Sequence, residues 1–206
     1  MDDPFEELRS WTFADWDEAY VDLGFNDDSP LSRIVLRMLT TLASTVDQWL
    51  RVYSYAADAA SIERAVEQIR PIARTREDIR QVILATQPES PLHLWALGQY
   101  ERVAITFADW GALVPEPVPC RKLMSFQATA LIHIVCLAST FDQWDVVRVA
   151  TRFAEPQLSR NAIEMMAHCA RTRAQWRRII DLACEDSSAY RLAVDCLRRI
   201  ARRAKH

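Results

Sequence analysis

A five-residue motif, T-x-x-[D/Q]-[W/I], recurs six times along this chain of 206 residues. Its threonines follow one another at intervals of roughly 32 residues, and this regularity marks an internal repeat. Repeats of this length are typical of proteins whose units bury their apolar faces against their neighbours. The repeat positions are the threonine and the residue four places later: Thr12 and Trp16, Thr45 and Trp49, Thr75 and Ile79, Thr106 and Trp110, Thr140 and Trp144, Thr172 and Trp176.

The residue types in the motif predict the beginning of a helix. A threonine hydroxyl can accept hydrogen bonds from the first helical turn, and the Asp or Gln that follows can complete a capping box. The Trp or Ile and an aliphatic residue three places later then share one helix face. Apolar residues at helical spacing, such as Ala65, Ile69 and Ile72, precede each motif. We therefore expect each unit to be a helix, a tight turn that begins at the threonine, and a second helix.

This pattern predicts an all-α fold, a right-handed α-solenoid of about six helical hairpins in a single domain over 1–206. The chain is expected to enter on the second helix of one unit and to leave after the first helix of another. We expect the repeat tryptophans to fill the space between consecutive hairpins. Trp11 and Trp95 fall outside the repeat frame, and Trp95 is predicted to be buried too.

A proline-rich stretch at 111–119 interrupts the array. Pro115, Pro117 and Pro119 alternate with other residues, which favours an extended path and ends the helix near Trp110. Two interpretations remain open. The stretch is either a kink that divides the array into halves, 1–110 and 120–206, or one long loop.

Composition restricts the functions open to the chain. Its three glycines, Gly24, Gly98 and Gly111, form no phosphate-cradling loop. The five cysteines include no C-x-x-C pair, so we predict a cytoplasmic or other reducing compartment. No Sec-type signal peptide and no apolar stretch of membrane-spanning length is apparent, so we expect no membrane association. A bacterial effector that is secreted by another route and acts in a host cell fits the same features.

The repeat frame resembles that of TAL effectors and related bacterial repeat proteins. Their units share the T-x-x-[Q/D]-apolar start and an A-x-x-x-[V/I]-x-x-[L/I] second segment, which the stretches 45–74 and 172–203 match. The resemblance implies a helical-repeat fold. The loop through which TAL repeats read DNA uses glycines, whereas the corresponding stretches here, 57–61 and 184–188, contain none. We therefore assign no base-contacting residue from the resemblance.

Two pairs of residues could carry chemistry. His133 and Cys136 stand three apart, and His168 and Cys169 follow one unit later, so adjacent hairpins could bring a His/Cys metal site together. Zinc sites usually show tighter ligand spacing, which favours these residues as ordinary core or groove residues. We therefore predict no catalytic residue, no metal, no cofactor and no enzymatic activity.

Charge is unevenly placed along the chain. The net charge is −3, the first 28 residues are strongly acidic, and the last turns are basic. Solvated end caps explain this asymmetry most simply. We predict a binding or scaffold module for a protein partner. The alternative is nucleic-acid binding through the basic C-terminal end, and a third hypothesis is end-to-end self-association. The candidate binding residues are Arg173, Arg177, Arg178, Arg198, Arg199, Arg202 and Arg203.

Overall fold

The computed structural model describes Leu8 and residues 10–24, 29–114 and 125–203. The described residues form twelve α-helices, none of them long and apolar enough to cross a membrane. The helices are α1 (Phe13–Asp22), α2 (Pro30–Leu42), α3 (Val46–Tyr55), α4 (Ala59–Ile72), α5 (Arg76–Ala85), α6 (Pro91–Val103), α7 (Phe107–Gly111), α8 (Ser125–Leu137), α9 (Phe141–Thr151), α10 (Pro156–Cys169), α11 (Arg173–Leu182) and α12 (Ser188–Arg203).

The helices pack as six consecutive hairpins, numbered here 1 to 6 from α1 with α2 to α11 with α12. The all-α prediction of about six helical hairpins is thereby confirmed. The chain divides into two compact units, Met1–Val103 and Ala104–His206, each with three hairpins. In the first unit α3 contacts α2 and α5, and in the second α10 contacts α11 and α12. Neighbours in sequence are therefore neighbours in space within each unit.

The proline-rich stretch is described only at its start. Helix α7 is five residues long and ends at Gly111, as the sequence predicted for the helix near Trp110. The boundary between the two units follows Val103. Pro115, Pro117 and Pro119 lie outside the described residues.

The hairpins begin one helix later in the repeat than we predicted. Helix α3 packs more extensively on α4 than on α2, and α9 and α11 likewise pack best on the helices that follow them. The connections on both sides of α3 are three residues long, 43–45 and 56–58. Turn length therefore does not decide the pairing, and side-chain packing does. The first described hairpin accordingly starts with a threonine-initiated helix, and the last ends with its second helix.

All six repeat threonines are helix N-caps, and each forms a complete capping box. In α3 the N–H of Gln48 donates to the Thr45 hydroxyl at 3.3 Å, and the N–H of Thr45 donates to the Gln48 side chain at 3.2 Å. Two N–H groups that the helix leaves unbonded are thereby satisfied. The capping prediction is confirmed.

Replacing a capping threonine should weaken the fold by a modest, measurable amount. We expect Thr45→Ala to lower the free energy of unfolding by about 1 kcal/mol, because the N–H of Gln48 loses its acceptor. Urea denaturation followed by circular dichroism measures the change. Thr41→Ala is the matched control, since the Thr41 hydroxyl bonds Arg37 O within α2 and caps nothing. Equal losses in the two variants would contradict the capping role.

The repeat tryptophans form part of the core. Their side chains and that of Ile79 are at most 8 % exposed, as predicted. The indole N–H of Trp110 donates to the Ala104 carbonyl at 3.1 Å. Trp95 is only partly buried, contrary to our prediction, because it lies beside the inward-facing Ala96 on α6. The guanidinium carbon of Arg70 lies 6.0 Å from the Trp95 ring centroid.

Candidate binding surfaces

Two adjoining cavities, of about 390 and 560 Å³, form a groove between α2 and α4 in the first unit. They share Arg33, Leu36 and Asp58 as lining residues. We call this surface the α2–α4 groove. Its other lining residues are Tyr20, Ser32, Arg37, Thr40, Thr41, Tyr55, Ala57, Ala60, Ser61 and Arg64.

A network of aromatic and charged side chains holds one end of the groove. The rings of Tyr20 and Tyr55 stack with centroids 4.3 Å apart, and the Tyr20 hydroxyl donates to the Tyr55 carbonyl at 3.2 Å. The Tyr55 hydroxyl donates to Asp17 at 2.9 Å, and Asp17 also forms an ion pair with Arg51. Burial and the bond to Asp17 raise the pKa of the Tyr55 hydroxyl. This end of the groove is therefore fixed by contacts between hairpins 1 and 2.

The walls of the groove carry an excess of positive charge. Arg33, Arg37 and Arg64 are exposed, and within the described part of the chain no carboxylate forms an ion pair with any of them. The carboxylate of Asp58 accepts from the N–H of Ser61 at 2.8 Å, and its bonds to Ser61 lower its pKa. Three cations thus face one capping carboxylate, which suits an anionic ligand.

Hydroxyl groups and the apolar side chain of Leu36 complete the surface. The hydroxyls of Thr40 and Thr41 donate to Leu36 O and Arg37 O, at 2.7 and 2.9 Å. Their remaining lone pairs can accept hydrogen bonds from a ligand. The groove can therefore take both carboxylates and hydrogen-bond donors.

This groove was not among the sites predicted from the sequence. The predicted arginines were chosen by their density near the C-terminus, whereas Arg33 and Arg37 are the only two charged residues of α2. The signal that could have found them is their spacing, because residues four apart lie on one helix face. Arg64 joins them only through the packing of hairpin 2 on hairpin 1.

The second unit has a smaller groove at the same place in the repeat, with a volume of about 240 Å³. Arg160 lines it and stands as far before Thr172 as Arg33 stands before Thr45. Here the polar groups bond one another. Arg160 donates to Gln157 at 2.7 Å, and the Ser188 hydroxyl donates to the Glu164 carboxylate. This groove has less unsatisfied charge to offer a ligand.

The arginines predicted from the sequence differ in their surroundings. Arg178 forms an ion pair with Asp145 of hairpin 5 at 2.5 Å, and Arg198 lies 3.7 Å from Asp195. Arg178 therefore links two hairpins. The other predicted arginines are exposed and form no ion pair with the described residues: Arg173, Arg177, Arg199, Arg202 and Arg203.

The two His/Cys pairs have separate partners. The His133 ring stacks on Trp110 with centroids 3.8 Å apart, and the Cys169 thiol donates to the Ser139 carbonyl at 3.5 Å. Cys136 and His168 are exposed. Across the described ranges, no three His, Cys, Asp or Glu residues form a group that could hold a metal ion.

The second unit also contains four free thiols, those of Cys136, Cys169, Cys184 and Cys196. Cys120 lies outside the described residues.

Comparisons with protein-family models, curated proteins and solved structures find no match to this chain.

Proposed function

We propose that this chain is a non-enzymatic helical-repeat binding or scaffold module whose protein partner places an acidic segment in the α2–α4 groove. The observation that carries the proposal is the group of Arg33, Arg37 and Arg64, which form no ion pair with the described residues. Arg33 also lines the cavity that contains Tyr20 and Tyr55. Arginine guanidinium groups bind carboxylates through paired hydrogen bonds. The side chains of Asp and Glu supply those carboxylates in a protein partner.

The surroundings of the groove favour a peptide segment over a nucleic acid. Leu36 lines both cavities, on the same helix as Arg33 and Arg37, and could pack against apolar residues of a peptide. The net charge of −3 also disfavours long-range attraction of a polyanion. A segment that mixes acidic and apolar residues matches both kinds of contact.

Nucleic-acid binding through hairpin 6 is the second candidate. It is supported by the exposed Arg173, Arg177, Arg199, Arg202 and Arg203, which could contact phosphates. The resemblance to TAL-effector repeats adds support at the level of the fold, although the glycine loop is missing. A reducing compartment and an effector role remain predictions for either candidate.

The two candidates differ in which residues a ligand should contact. We expect a peptide of alternating Glu and Leu residues to perturb the amide signals of α2 and α4 in a nuclear magnetic resonance titration. Arg33→Ala, Arg37→Ala and Arg64→Ala combined should weaken its binding about tenfold, at roughly 0.5 kcal/mol per exposed contact. Arg173→Ala, Arg177→Ala and Arg202→Ala combined is the control and should leave peptide binding unchanged.

A single-stranded DNA of matching charge is titrated in parallel. Binding of the DNA alone, lost in the control variant and steeply weakened by salt, would replace the peptide proposal by the nucleic-acid one. Peptide binding that survives the triple groove substitution would also contradict the proposed site.

A further inference from the structure

The first and the last described hairpins each have a partly exposed residue at a repeat position that is buried in the other hairpins. We number repeat positions from each threonine, so that Val52 is +7 in hairpin 2. This position is buried in all five later hairpins, in Val52, Val82, Leu113, Val147 and Ile179. In hairpin 1 the same position is Ala19, which is partly exposed. In helix α1, therefore, a position that is buried in the other hairpins is partly exposed to solvent.

The repeat numbering can be extended to the last helix, α12. Position −10, counted back from the repeat threonine, is a buried alanine in Ala65, Ala130 and Ala162, and Ala193 is buried equally. If Ala193 is position −10 of the next unit, the residue equivalent to the repeat threonine is Arg203, one repeat after Thr172.

The same numbering shows which position of the last helix is partly exposed. Position −6 is fully buried in Leu39, Ile69, Ile134 and Met166. Its equivalent in α12 is Leu197, which is partly exposed. Helix α12 thus leaves uncovered a position that is buried in the other second helices.

An ion pair links successive hairpins at the same two positions in both units. Arg51, at +6 of hairpin 2, pairs with Asp17, at +5 of hairpin 1. Arg178, at +6 of hairpin 6, pairs with Asp145, at +5 of hairpin 5. Packing of one hairpin on the next therefore brings position +5 of the first beside position +6 of the second.

Hairpins 6 and 1 carry opposite charges at these positions. Position +5 of hairpin 6 is Arg177, and position +6 of hairpin 1 is Glu18. Both are exposed, and neither forms an ion pair with the described residues. A second copy that continued the array would bring Glu18 to Arg177, with the polarity of the internal pair reversed.

We propose that copies of this chain associate head to tail, with hairpin 1 of one copy packed on hairpin 6 of another as the next repeat. Ala19 and Leu197 are buried in that contact, and Glu18 pairs with Arg177. The contact joins two different surfaces, so each added copy leaves its other end free for a further copy. The self-association uses different residues from the α2–α4 groove and is independent of the proposed function.

Sedimentation velocity of the full chain tests the proposal. At low salt we expect the average mass to rise with protein concentration, and high salt should reduce it because exposed charges are screened. Glu18→Arg and Arg177→Glu should each weaken association about tenfold, since each places like charges in contact. Glu63→Arg, at an exposed position on α4, is the matched control and should associate as the native chain does.

A mixing experiment makes the test specific to the register. Glu18→Arg chains carry arginine at both contact positions, and Arg177→Glu chains carry glutamate at both. Each variant alone should associate about tenfold more weakly than the native chain, whereas an equimolar mixture should recover the native association. A native chain that stays monomeric at every salt and protein concentration would overturn the proposal. So would association that both single substitutions leave unchanged, or a mixture that does not recover.

Discussion

Trp144→Ala should be the most damaging single substitution of those proposed, lowering the free energy of unfolding by about 3–5 kcal/mol. The Trp144 side chain is 7 % exposed at the repeat position of α9, and its removal leaves a cavity that neighbouring helices cannot fill completely. A loss of that size is a large part of the stability of a typical domain. Urea denaturation measures the loss. Hydrogen exchange should show it centred on hairpin 5, because repeat arrays are stabilised mainly by nearest neighbours.

Trp95→Ala provides the matched control. Trp95 is only partly buried on α6, so its truncation should cost about 1 kcal/mol or less. The difference between the two variants isolates the role of the repeat position from the general effect of removing an indole. If both variants lost the same stability, the repeat tryptophans would have no special place in the packing.

Asp17→Ala should have the second largest effect, a loss of about 1.5–3 kcal/mol in the free energy of unfolding. Asp17 is 8 % exposed and accepts hydrogen bonds from Arg51 of α3 and from the Tyr55 hydroxyl at 2.9 Å. Its removal leaves the hydroxyl of Tyr55 without its acceptor and breaks a link between hairpins 1 and 2. Thermal or urea denaturation measures the cost.

Asp47→Ala tests whether burial is the reason. Asp47 also contacts Arg51, at 3.4 Å, but its side chain is 68 % exposed, so we expect a change under about 0.5 kcal/mol. Ultraviolet titration gives a second measurement. The pKa of Tyr55 is raised by burial and by Asp17, so it should fall in Asp17→Ala and stay raised in Asp47→Ala. A pKa unchanged in both variants would contradict the bond to Asp17.

The helix starts could be predicted from the sequence because they depend on local contacts. Each capping box joins a threonine to a residue three places later, so the motif contains both partners. The burial of the repeat tryptophans could be predicted as well, because helical periodicity places them on the apolar face. Trp95 shows the limit of composition alone, since one helix turn holds both buried and exposed positions.

The α2–α4 groove could not be predicted in the same way. Arg33 and Arg64 stand about one repeat apart in the sequence and meet only because hairpin 2 packs on hairpin 1. The ion pairs of Asp17 with Arg51 and of Asp145 with Arg178 have the same origin. Arg178 was predicted to be a binding residue because it is charged. It instead forms an ion pair with Asp145, which lies about one repeat earlier in the sequence.

Local sequence patterns were enough to predict an all-α chain with a repeat, the first residue of each threonine-capped helix, and the apolar face that each helix buries. These follow from hydrogen bonds and periodicities that span a few residues. Long-range packing sets which neighbouring helix completes each hairpin and which charged residues form ion pairs between hairpins. Connections of three residues on both sides of α3 allow either pairing, so packing between distant side chains makes that choice.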